Sequence, residues 1–67
     1  MLTQGTILVA PAGNFILGAI TIYPDPIDNT PVIEIPATHI GTNQTHMLNV
    51  ESTLQNIAEG VIKIHEK

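Results

Sequence analysis

The stretch ILVAPAGNFILGAITIY, residues 7–23, decides the fold. It holds no Lys, Arg, Asp or Glu, and the first charged side chain of the whole sequence is Asp25. Such a run is a membrane span, a targeting segment or the buried part of a folded domain. A spanning helix needs about 20 predominantly apolar residues. Here the apolar runs 7–10 and 15–23 are divided by Pro11-Ala12-Gly13-Asn14, and Pro and Gly both disfavour a helix interior. A secretory signal wants basic residues ahead of its apolar stretch, and Met1-Leu2-Thr3-Gln4-Gly5 supplies none. No membrane role is expected.

The composition of the run is that of β structure. Ile7, Leu8, Val9, Ile16, Ile20, Thr21, Ile22 and Tyr23 are mostly the β-branched and aromatic types that fit a pleated surface. Ala10-Pro11-Ala12-Gly13 has Pro at the second and Gly at the fourth position of a type I turn. Residues 6–23 therefore read as a β-hairpin. Its second strand would carry Phe15, Leu17, Ala19, Thr21 and Tyr23 on one face, and Ile16, Gly18, Ile20 and Ile22 on the other. Neither face is strongly polar, which is the pattern of a strand covered on both sides.

Outward from this run, residues 24–31 hold three prolines, Pro24, Pro26 and Pro31, and read as a loop. Asp25, Asp28 and Asn29 in it are turn formers, and their spacing lacks the glycine and distal Glu of a calcium loop. Residues 32–50 read as a second hairpin, checked or bulged at Pro36 and turning about Thr42-Asn43. That register sets His39 opposite His46, a cross-strand pair that two further ligands would have to complete as a metal site. The segments 7–12 and 32–37 share an aliphatic run followed by Pro-Ala, which suggests two similar units.

The last segment changes period. Val50, Leu54, Ile57, Val61 and Ile64 step by four and three, which makes one apolar helical face over 51–65. Ser52 with Gln55 has capping-box spacing, and Glu59 with Lys63 is a favourable i,i+4 pair. Gly60 supports an alternative, a short helix stopped there and a final strand over 61–65. The whole is one small domain, 1–67, mainly β with a C-terminal helix (α+β). Its two hairpins form a small sheet or sandwich, covered by the helix and by neighbouring chains.

Composition points to those neighbours. A chain of 67 residues buries only about 60% of its unfolded surface, and small scaffolds add disulfides, metals or partners. There is no Cys, which removes disulfides and thiolate zinc sites. Charged residues are 12% of the chain, about half the usual quarter. Residues 1–62 hold five acids and no Lys or Arg, so no nucleic acid is expected, because phosphate binding runs on cations.

Enzymatic chemistry is not expected either. The one Ser, Ser52, suits a helix cap and lies in no nucleophile-elbow pattern. Nothing in the sequence brings Glu34 and Glu51 together as a carboxylate pair. No cofactor motif is present, and Asn43-Gln44-Thr45 is a bare glycosylation sequon. The expectation is a non-enzymatic structural subunit of a large symmetric assembly: a decoration, cement or tail component of a viral or phage particle, located in the virion. It would associate with itself and with a larger coat or tail protein. Its interface residues would be Ile16, Ile20 and Ile22 on the strand, and Leu54, Ile57, Val61 and Ile64 on the helix. The alternative is a small β-rich adaptor or ligand-binding module acting in a reversible complex. Scarcity of Arg and aromatic residues, the usual hot-spot anchors, argues against it.

Overall fold

The computed structural model describes residues 2–65. The chain is mainly β, in two antiparallel sheets, with one short helix. Strands β1 (Ile7–Ala10) and β2 (Gly13–Leu17) form the first hairpin, with Leu8 opposite Phe15 and Ala10 opposite Gly13. Pro11 and Ala12 are thus its two loop residues, and Gly13 opens β2 at φ +132°. β3 (Thr21–Pro24) pairs with β4 (Pro31–Glu34) as a separate two-stranded ribbon. β5 (Pro36–His39) returns beside β2 and is followed by β6 (Thr45–Met47), α1 (Val50–Ala58) and β7 (Lys63–His65). The larger sheet has the order β6-β5-β2-β1-β7.

The run 7–23 is therefore not one simple hairpin, and the reason is a bulge. Leu17 pairs with Ala37 and Thr21 with Glu34, so three residues, 18–20, lie opposite two, 35 and 36. One extra residue on one strand bends the pair and exchanges the faces of everything beyond it. Two local features hold the bend. Pro36 has no N–H to give, which is tolerated at the first residue of a strand. Gly18 donates its N–H to the Pro36 carbonyl at 2.9 Å, and a Cβ at Gly18 would stand 3.0 Å from the Pro36 ring. The chain expected as one strand over 15–23 thus splits into β2 and β3, while the strand expected from Val32, checked or bulged at Pro36, is interrupted there between β4 and β5. The Pro-Ala similarity has no structural counterpart. Pro11-Ala12 is a turn, whereas Pro36-Ala37 begins a strand.

The C-terminal segment also departs from a helix over 51–65. α1 ends at Ala58 with Glu59 as C-cap. The Gly60 N–H donates to Ile57 and the Val61 N–H to Asn56, the paired bonds of a Schellman stop with Gly60 at φ +79°. Glycine takes that left-handed conformation freely, so the alternative of a final strand is the one realised. β7 then pairs with the free edge of β1, Ile64 opposite Leu8. At the other end the N-cap is Asn49, whose Oδ1 accepts from the Ser52 N–H at 3.0 Å; Ser52 is capped rather than capping.

Segment 48–62 must cross from β6 at one sheet edge to β7 at the other. It crosses over the face that carries the core. Leu8, Leu17, Ile35 and Ala37 are buried there, with Leu2, Phe15, Leu48, Val50, Ile62 and Ile64 packed around them. The buried helix residue is Thr53, while Leu54 is 51% exposed, so the helix does not seat the apolar face its spacing suggested. No helix among the described residues is long and apolar enough to cross a membrane.

Candidate functional site

The ribbon is the unusual part of the molecule. All four residues of β3 are exposed, and β4 alternates exposed and half-buried. Directly opposed pairs share a face, so Ile22 with Ile33 and Pro24 with Pro31 form one side. Thr21, Tyr23, Val32 and Glu34 form the other. On the polar side, hydrogen bonding to the Glu34 side chain, with partial desolvation and the nearby Glu34 and Asp25 charges, raises the Tyr23 phenol above its ordinary range.

The other side is apolar and open. Along 31–39 the odd positions stay on one side throughout, from buried Ala37 and Ile35 to Ile33 and Pro31. On the facing strand the bulge moves the core side from odd to even positions, from Leu17 to Ile22. The Ile22–Ile33 face is thus the core face of the molecule continued past its edge. Ile22 is 66% exposed and Ile33 44%. Pro31 and Ile33 form one wall of an open cleft of about 600 Å³, with Leu48, Asn49, Val50 and Glu51 as the other.

The loop between β3 and β4 is built from its own acids. The Asp25 N–H donates to the Thr30 carbonyl at 2.7 Å, and Asp25 Oδ1 accepts from the Ile27 N–H. Asp28 Oδ1 accepts from the Thr30 hydroxyl at 2.7 Å and from its N–H at 3.1 Å. These bonds favour the ionised form and hold the Asp28 carboxyl below its usual value. Ile27 stands 94% exposed in this loop.

The two histidines are arranged differently from expectation. The β5–β6 pair aligns Ala37 with His46 and Thr38 with Thr45, two residues away from the expected register. A two-residue turn at Thr42-Asn43 is replaced by a longer one, because Gly41 (φ +119°) and Asn43 (φ 62°) both take left-handed backbone and His39 fills its interior. His39 Nε2 lies 3.1 Å from the Ala12 carbonyl, which can only accept. Its Nδ1 faces the Thr42 N–H at 3.4 Å and the Thr42 hydroxyl at 3.1 Å. These partners specify the neutral tautomer with the proton on Nε2. The ring also meets Phe15 edge-on, centroids 5.0 Å apart. His39 therefore ties the β1–β2 turn to the β5–β6 turn, while His46 is exposed. Among the described residues no three His, Asp or Glu side chains gather as a metal site.

The expected interface residues do not share one surface. Ile16 lies on the outer face of the larger sheet, across from Ile7, and the bulge parts it from Ile20 and Ile22. Ile20 is 37% exposed beside the bend. Leu54 and Val61 are exposed, Ile57 is half-buried, and Ile64 packs on the core, so the four form no common stripe. Sequence reasoning misses Ile33, because it pairs residues 32–34 with 45–50 instead of with the run just across the proline loop. The brevity of that loop is the available signal. No protein-family model matches the chain, and no curated protein or solved structure matches it.

Proposed function

We propose that this chain is a non-enzymatic structural subunit of a large symmetric assembly, such as the decoration, cement or tail component of a virus or phage particle. Its role there is to add contacts across subunit junctions. The observation that carries the reading is the uncovered continuation of the core at Ile22 and Ile33. Four buried apolar side chains among the described residues are a small core, whereas Ile22, Ile33, Met47, Leu54 and Val61 are all at least 44% exposed. Permanent assemblies bury extended aliphatic surface of this kind. Low charge lets several faces meet neighbours without desolvating unpaired ions. The edges β6 and β7 and both outer edges of the ribbon lack a further strand in the described residues, and main-chain pairing with a neighbour's sheet would satisfy them.

The test is sedimentation of the purified chain from low to high micromolar concentration. The expected result is association that increases with concentration. A monodisperse, cooperatively unfolding monomer across that range contradicts it.

A further inference from the structure

We infer that His39 is a proton-sensitive latch. Neutral, it holds the β5–β6 turn against the β1–β2 turn; a proton added to it releases the β5–β6 hairpin. The device lies within one chain and does not depend on the assembly reading above.

The first observation is the polarity of the bonds. Both ring nitrogens are engaged, one as donor and one as acceptor. Nε2 faces the Ala12 carbonyl at 3.1 Å and so carries the proton. Nδ1 faces the Thr42 N–H at 3.4 Å and the Thr42 hydroxyl at 3.1 Å. A proton at Nδ1 turns this acceptor into a donor aimed at a backbone N–H. The Thr42 hydroxyl can receive it only by giving up its own donation, and that oxygen already accepts from the Gln44 N–H at 3.4 Å. The Thr42 N–H then loses its partner.

The second observation is the absence of a counter-charge. Segments 7–17 and 36–47, which form β1, β2, β5, β6 and their two turns, hold no Asp, Glu, Lys or Arg. β2 offers the ring only Phe15, the β1–β2 turn the Ala12 carbonyl, and the β5–β6 turn Thr42. An imidazolium here stands half-buried with no carboxylate on the elements that hold it.

The third is His46, the other titratable side chain of the hairpin. It pairs with Ala37, which precedes His39 by two on β5. Opposed residues share a face, so both histidines lie on one side of the sheet, and acid charges both. β6 is a three-residue edge strand exposed throughout, the kind of element that opens locally first. The favoured form is neutral. The latch is therefore intact above the range in which histidine takes up a proton, around pH 6.5, and is lost as pH falls through it.

Amide hydrogen exchange of the wild-type protein at about pH 7.5 and about pH 5 is the test, read as protection factors so that the intrinsic pH dependence of exchange cancels. The His39 N–H donates to Gln44 and the Asn43 N–H to His39, both within the turn. Their protection should fall about three- to tenfold at the lower pH. Protection of the Leu17 N–H, bonded to Thr6 in the body of the sheet, should hold. In His39→Phe the turn amides should be indifferent to pH. Equal protection at both pH values in wild type overturns the latch, and so does a fall that persists in His39→Phe. Should that variant not fold, wild-type spectra decide: the Thr42 amide shift must follow the His39 ring titration. A Thr42 shift that follows the carboxylates, near pH 4, overturns the latch.

Discussion

Replacing His39 dissects the clamp that joins the two turns. In His39→Ala three interactions vanish: the bond to the Ala12 carbonyl, the bonds from Thr42, and the edge contact on Phe15. A net hydrogen bond contributes about 0.5–1.5 kcal/mol, and the 3.4 Å Thr42 N–H contact is too long to count fully. The aromatic pair adds about 0.5–1.5 kcal/mol. His39 is half-buried, so the lower part of each range applies. The loss expected for His39→Ala is about 1.5–3 kcal/mol. His39→Phe retains a ring against Phe15 and loses only the polar contacts, for about 1–2 kcal/mol. Urea denaturation at one fixed protein concentration reads both variants, since association would otherwise shift the midpoint. If His39→Ala lies within about 0.5 kcal/mol of wild type, the clamp does not hold the turns. Nitrogen-15 spectra of the wild-type imidazole should show the proton on Nε2.

At the helix start, Asn49→Ala should lower stability by about 0.5–2 kcal/mol and Asn49→Asp by little, read by thermal unfolding, because an aspartate can still accept the Ser52 N–H. In the proline loop, the Thr30 amide shift should titrate with Asp28 below the ordinary carboxylate range. The bonds to Asp28 favour its ionised form, so their contribution is present above about pH 4 and is lost as pH falls through the lowered value; titration at or above the usual value would refute this. Gly13→Ala should be strongly destabilising in the same urea assay, since its Cβ would meet the His39 ring and φ is +132°.

How much of the fold is legible in the sequence depends on where tertiary contacts overrule local pattern. The β character of 7–23, the loop at 24–31 and the start of a helix near Val50 follow from residue type and Pro content. The bulge does not, because Gly18-Ala19-Ile20 is compatible with a straight strand. Only pairing of Leu17 with Ala37 and Thr21 with Glu34 shows that a residue is extra. That single residue decides which isoleucines share a face, and so it divides the expected set of Ile16, Ile20 and Ile22. Gly60 is the visible sign against a long helix. Four- and three-residue spacing of Leu54, Ile57, Val61 and Ile64 outweighs it in the sequence, yet the edge of β1 offers residues 63–65 a ladder that a helix would forgo. The His39 clamp is hidden for a similar reason: the Ala12 carbonyl that it meets belongs to another hairpin, 27 residues away.

In the proposed assembly the Ile22–Ile33 face is covered when the protein is in its working state. Methyl spectra of isoleucine-labelled protein, recorded at associating concentration with a soluble paramagnetic probe, test it residue by residue. The Ile22 and Ile33 methyls should be shielded like that of buried Ile35, while Ile27 is strongly broadened. Broadening of Ile22 and Ile33 to the extent their exposure in the single chain implies, 66% and 44%, would contradict it.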